Sequence, residues 1–276
     1  MPRRFSLLLS ALLLVALQAR ADDLAARLAA HRTIVCAHRG WLAPDRPENS
    51  LRTLRETESS GRFMLEMDLA VGGDRRIVMM HDATVDRTTD GTGRVADLDA
   101  AARLRLHLRA KDGPPTTEAP PLFDDILDWA ATQPSALLML DIKRTPPAQV
   151  MARVRRERLR DRVLLLTFDR PTAEAAFESD PAVLVSVLVM SRADLDFYAS
   201  RAGRRRFAAY IPLDRPPSLF DAARVRGAVV ITDLLDLRNA LTERYDVSAL
   251  RARPFDIVVT NHPAETAARL SSRRSD

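Results

Sequence analysis

"FMLEMDLA", Phe63 to Ala70, and "LLMLDIKR", Leu137 to Arg144, both place charged side chains at the far end of an apolar run. Side chains alternate along an extended strand, so Glu66 and Asp68 share one face, as do Asp141 and Lys143. Such short, near-continuously apolar runs are the pattern of strands buried on both faces of a parallel sheet. The chain offers nine of them: Thr33–Ala37, Phe63–Ala70, Arg76–Met80, Ala136–Lys143, Val163–Phe168, Val183–Val189, Phe207–Leu213, Ala228–Leu234 and Phe255–Thr260. Amphipathic helical patterns such as "NSLRTLRETESSG", "FDDILDWAATQ" and "PAQVMARVRRERLRD" separate many of them. This alternation predicts an α/β fold, a (β/α)8 TIM-type barrel, regular or distorted. Such a barrel takes about 250 residues. Nine candidates exceed eight, so either Phe207–Leu213 or Ala228–Leu234 is expected to be peripheral. A doubly wound open sheet is the competing topology, but its Gly-rich first turn is missing: "AHRGW" is no G-x-G-x-x-G. Asp82 to Leu122 has no clean period and reads as a long loop after the third strand, on the active-site face.

The first residues read as a segment apart from the fold. "MPRRFSLLLSALLLVALQARADD" joins a basic start, a short apolar centre and an Ala19-Arg20-Ala21 end. These are the three parts of a secretory signal, expected to be removed after residue 21. Export to the periplasm or beyond the cell follows, with no stable membrane insertion after cleavage; an uncleaved anchor is the alternative. The apolar run is shorter than the roughly 20 residues of a spanning helix. One domain is expected over residues 22–276. The formal charge of +5 includes three arginines of the first 21 residues, and without them about +2 remains. Aromatics are 5% of the chain, too few for a base-stacking platform, so nucleic acid is not an expected partner. Cys36 is the only cysteine and sits in an apolar run, as a small buried side chain would.

His38 ends "TIVCAH" and His81 ends "RIVMMH", so four runs deliver polar side chains at the same end. In a parallel barrel those ends converge on the face that carries active sites. Buried carboxylates without partners are costly, and a hard divalent cation such as Ca2+ or Mg2+ removes the cost. Glu66, Asp68 and Asp141 supply three oxygen ligands for it. His38 and His81 can exchange protons near neutral pH. Arg39 and Lys143 add fixed positive charge suited to a phosphate. Each piece alone has a plainer reading: an exposed acidic edge, a structural histidine, an ion pair inside the barrel.

Together with "AHRG", "PENS", "LEMDLA", "VMMHDATVDRTTDGTG", "APPLFDDIL", "LDIK", "LTFD" and "IVVTNHP", these residues resemble the glycerophosphodiester phosphodiesterase family. The resemblance implies a TIM-type barrel that cleaves glycerophosphodiesters to glycerol 3-phosphate and an alcohol with one divalent cation. It implies His38 and His81 as the acid–base pair, and Glu66, Asp68 and Asp141 as metal ligands. Arg39 and Lys143 are implied as phosphate binders, with Glu48 binding or orienting beside them. Asp141 stands where the family usually has Glu, and Asn261 where it usually has Asp. "VITDLL", Val230 to Leu235, replaces a Trp-Thr-Val-Asn element. Two other readings stay open: phospholipase D-like or sphingomyelinase D-like action on lysophospholipids, and a secreted binding protein without catalysis.

Overall fold

The structure is a computed structural model that describes residues 23–30, 32–40, 45–110, 113–235, 250 and 253–271. The expected export signal at residues 1–21 lies outside them. Among the described residues no helix is long and apolar enough to cross a membrane.

Among the described residues nine strands run in chain order: β1 (Ile34–Ala37), β2 (Met64–Val71), β3 (Ile77–Met79), β4 (Leu137–Arg144), β5 (Val163–Thr167), β6 (Leu184–Leu188), β7 (Ala208–Tyr210), β8 (Val229–Asp233) and β9 (Ile257–Thr260). Their spatial order is β1-β9-β8-β7-β6-β5-β4-β2-β3, and a β1–β2 pairing joins the ends. Eight parallel strands therefore close into a barrel, with helices packed outside it, as the apolar runs predicted. The ninth strand is a different one from that expected. Phe207–Leu213 and Ala228–Leu234 both supply barrel strands, β7 and β8, paired in parallel to each other. The addition is β3, which pairs antiparallel with β2. Eight-residue β2 reaches past the rim, turns through Gly72 to Arg76, and β3 comes back along its edge. Apolar periodicity carries no strand direction, so alternation alone does not distinguish this hairpin from a parallel pair.

Two apolar layers hold the barrel. Met64, Leu137, Met139, Leu164, Ile231 and Cys36 belong to an interior cluster. Leu65, Met67, Leu138, Leu140, Leu165 and Val230 face a second, larger cluster shared with the helices, including α4 (Phe123–Ala131) and α5 (Pro147–Arg156). The interior parity runs on from Met64 to Glu66 and Asp68, from Met139 to Asp141 and Lys143, and from Cys36 to His38. The polar set is thus the upper continuation of an apolar floor.

Residues 82–110 and 113–122 are more ordered than a loop without a period would suggest. Val85 and Val95 pack with Ala70, Val78 and Met80 in a small core of their own. Bridges Thr84–Arg94 and Thr89–Leu108 tie the excursion to itself, and Val78–Leu122 ties its end back to β3.

Candidate active site

The turn after β1 is built by Gly40. Its φ of +65° favours glycine, and a Cβ there would lie 2.3 Å from Cδ2 of buried Leu54. Arg39 before it also adopts a positive φ of 54°, which aims its backbone N–H at Glu66 Oε2, 2.7 Å away. Asn49, at φ 57°, donates its backbone N–H to Arg39 O at 2.9 Å. Its side chain donates to Asp68 Oδ2 at 2.9 Å and accepts from the Asp68 N–H at 3.0 Å. Ser50 then caps α2 (Leu51–Ser60) by accepting the Thr53 N–H. The Pro-Glu-Asn-Ser stretch is therefore a strap that fixes both the Asp68 carboxylate and the Arg39 turn.

His38, Glu66, Asp68, His81, Asp141 and Lys143 all line one pocket at the barrel mouth. All six are among the residues singled out in the sequence. His81 arrives by another route than expected, since β3 is antiparallel. It reaches the same face because β2 overshoots the rim and β3 returns to it, the Met80 N–H bonding to Asp68 O at 3.0 Å.

Ligand atoms of Glu66, Asp68 and Asp141 lie within 4.8 Å of one another, and all three residues are buried. Lys143 Nζ donates to Asp141 Oδ2 at 2.8 Å and to Asp68 Oδ1 at 3.1 Å. Burial, then repulsion from Asp68 and Asp141, pushes the Glu66 carboxyl well above the usual range. Burial also raises Asp141, in spite of Lys143. Burial works on Asp68 too, but Lys143 and Arg39 outweigh it and hold that carboxyl below its ordinary value. Counting Glu48 and Asp82, five carboxylates face three fixed cations among the described residues, Arg39, Lys143 and Arg87. One divalent cation cancels that deficit, and three hard oxygen donors suit it. The buried triad can hold a metal.

The two imidazoles have unlike partners. His38 Nδ1 lies 2.8 Å from Asn261 Oδ1, a neutral amide. Burial and the nearby Arg39 charge lower its pKa to about 4, against that hydrogen bond. His81 Nδ1 lies 2.6 Å from Asp82 Oδ1, a carboxylate held below its usual range by Arg87 and by His81 itself. In both, a proton on Nδ1 leaves Nε2 as the reactive nitrogen.

Glu48 lies beside the pocket rather than in its wall. Its carboxylate accepts from Arg39 Nη1 at 2.9 and 3.0 Å and from two nitrogens of Arg87. Against the resistance of burial, Arg87 and Arg39 keep it ionised below the ordinary range. Arg39 Nε is buried without a hydrogen-bond partner among the described residues, 3.6 Å from Asp68 Oδ2. Sequence reasoning assigned nothing to Asn49, Asp82, Arg87, Phe168 or Tyr210. Phe168 and Tyr210 form an edge-to-face pair with centroids 5.7 Å apart on the pocket's apolar side, joined there by Leu235. They give the pocket an aromatic wall.

The sequence model of the glycerophosphoryl diester phosphodiesterase family matches residues 38–265. Glycerophosphodiester phosphodiesterase 1 of Bos taurus is 49% identical over 67 residues, 24% of this chain and 20% of that protein. A glycerophosphodiester phosphodiesterase of Caldanaerobacter subterraneus is 39% identical over 82 residues, 30% of this chain and 33% of that protein. The chain thus spans a fifth to a third of these relatives. A glycerophosphoryl diester phosphodiesterase structure from Parabacteroides distasonis superposes with a TM-score of 0.76 at 23% identity, covering 87% of each chain. An Oleispira antarctica phosphodiesterase, in complex with the product sn-glycerol-3-phosphate, superposes at 0.72 with 19% identity, covering 88% of this chain and 99% of that one. At these identities the structures establish a shared fold, while the sequence match extends over most of the chain and takes in every residue of the pocket. This chain belongs to the glycerophosphoryl diester phosphodiesterase family.

Proposed function

We propose that the protein hydrolyses glycerophosphodiesters to glycerol 3-phosphate and an alcohol, with His38 and His81 as its proton-transfer pair. The observation that carries this reading is the meeting of two differently partnered imidazoles, a buried acidic triad and a lysine in one pocket. The family names of the relatives and the glycerol-3-phosphate bound by the Oleispira protein support it.

The diester's phosphate sits against Lys143, with the Arg39 guanidinium beside Asp68 adding positive charge, and together they stabilise charge gathering on its oxygens. His38, neutral and backed by an amide, takes a proton through Nε2 from the glycerol hydroxyl next to the phosphate. That oxygen bonds to phosphorus, and the bond to the departing alcohol breaks. His81 delivers its Nε2 proton to the leaving oxygen, with Asp82 as the negative partner of the imidazolium. A cyclic phosphate results. Water opens it with the two roles exchanged, giving glycerol 3-phosphate. Glu66, Asp68 and Asp141 would hold a divalent cation, Ca2+ or Mg2+, which supplies further positive charge to the phosphate.

The test is a panel of glycerophosphodiesters, lysophospholipid and sphingomyelin, assayed after chelation and after return of single metals. Metal-restored release of glycerol 3-phosphate is expected. Turnover of only the lysophospholipid or sphingomyelin would move the chain to the phospholipase D-like reading. That reading draws on the Asp-x-Lys at 141–143 and on Phe168, 39% exposed beside the pocket. No turnover at all would leave a binding protein. We further propose that residues 1–21 are cleaved on export, so that residues 22–276 act in the periplasm or outside the cell. An N-terminus at Met1 on the mature protein would overturn this.

A further inference from the structure

One cation holds both sides of the site at once. Arg87 lies in the excursion after β3, and its Nε donates to Asp82 Oδ2 at 2.7 Å, with Nη2 to Asp82 Oδ1 at 3.2 Å. On its other edge Nη1 and Nη2 donate to Glu48 Oε2 and Oε1 at 2.8 and 2.7 Å. Asp82 holds His81 Nδ1, and Glu48 holds Arg39 Nη1. The contacts form one unbroken chain: His81, Asp82, Arg87, Glu48, Arg39.

We infer that Arg87 is a positioning residue, whose guanidinium sets the distance between the His81 imidazole and the Arg39 phosphate clamp. The inference rests on the proposed function and names a part that the proposal leaves out. Glu48 belongs to the turn after β1 and Asp82 to the excursion after β3, so the backbone alone does not fix their spacing. A guanidinium is planar and rigid, and two forked contacts on it fix both the separation and the orientation of two carboxylates. A lysine ammonium, with a single charged point, cannot do the same.

The exposure of Arg87 decides what this costs. Its side chain is 44% exposed, so its ion pairs add little to stability. Placement of reacting groups is far more sensitive, because a misplacement of about 1 Å can cost about a hundredfold in rate. Loss of Arg87 therefore leaves the fold standing and loosens the reacting geometry.

The test compares wild type with Arg87→Ala, Arg87→Lys and Asp82→Asn on the best diester of the panel. For Arg87→Ala, kcat is expected to fall about tenfold or more, with KM within about threefold. The Tm should move by no more than about 4 °C. Added guanidinium ion should restore part of the lost rate, and Arg87→Lys should stay well below wild type. Combining Arg87→Ala with Asp82→Asn should cost no more than the worse single change, since both cut the same chain. A kcat within about twofold of wild type, or two losses that multiply, would overturn the inference. If Arg87→Ala fails to fold, Arg87→Lys carries the same kinetic test. If wild type cleaves nothing in the panel, the proposed function fails, and the 15N shifts of His81 still decide on Arg87. A single Nδ1–H tautomer in wild type that becomes a mixture in Arg87→Lys supports it, and an unchanged spectrum refutes it.

Discussion

Replacing Lys143 by Met tests the electrostatics of the pocket more directly than any other single change. The ammonium lies 2.8 Å from one oxygen of Asp141 and 3.1 Å from one of Asp68. At an effective dielectric of about 20, these contacts are worth about 6 and 5 kcal/mol gross. Desolvation of the three groups takes back most of that, and breaking such a buried arrangement typically costs 3–5 kcal/mol net. Lys143 keeps a quarter of its side chain exposed, so the lower end, about 3 kcal/mol, applies. For a domain of this size that is a Tm loss of about 6–12 °C.

The assay is thermal unfolding in chelator, near neutral pH and again near the ordinary carboxylate range. Without Lys143 the folded-state pKa values of Asp68 and Asp141 rise. A carboxyl whose folded pKa lies above its unfolded value binds more protons when folded, so the variant should recover stability as pH falls. A divalent cation should also recover it, and should stabilise the variant by more than it stabilises wild type, because it replaces a missing charge. A variant as stable as wild type at neutral pH, indifferent to acid and to cation, would refute this account of the pocket's charge balance.

His81→Ala should fold normally and lose about a hundredfold or more in kcat, as removal of a general acid does; near-normal kcat would take His81 out of that role. Asn261→Asp puts a carboxylate against His38 Nδ1 and so favours the imidazolium, raising the His38 pKa from about 4. The acid limb of the kcat/KM profile should move up by about one unit or more, and an unmoved limb would mean that His38 is not the base. Gly40→Ala should cost about 2 kcal/mol or more in urea unfolding, from the positive φ and the collision with Leu54; a neutral result would mean that the turn after β1 rearranges at little cost.

How much of this was legible in the sequence follows from what each signal can encode. Alternation encodes the face of a strand, so the shared orientation of Glu66 with Asp68, and of Asp141 with Lys143, was readable from spacing alone. It does not encode direction, and so β3 passed for one more parallel strand, while His81 just beyond its end still fell in the right place. The hairpin's signal, "VGGDRR" between two apolar runs, was available: a turn too short for a parallel crossover. Asn49 and Arg87 were quoted within motifs but given no role, because their partners lie in other elements, distant along the chain. Asn49 reaches Asp68 across 19 positions, and Arg87 reaches Glu48 across 39. Such pairings exist only once the barrel has closed.

The barrel interior explains why an acidic cluster here amounts to a site. Directly below Glu66 and Asp141 the same strand faces present Met64, Leu137 and Met139, all fully buried, with Cys36 alongside. Water cannot approach from that side, so the carboxylates face solvent only through the pocket mouth. Burial is accordingly the largest influence on Glu66, and on Asp141 it prevails even over Lys143. The closing of the barrel, held by the two apolar clusters, forces these groups into a place where their charge is poorly met. A ligand that brings positive charge relieves that cost and gains affinity by doing so. The same reasoning sets the limit on Lys143: as a single charge it cannot satisfy three carboxylates. Glu66, the one that it does not touch, accepts the Arg39 backbone N–H instead and carries the strongest upward shift of the three.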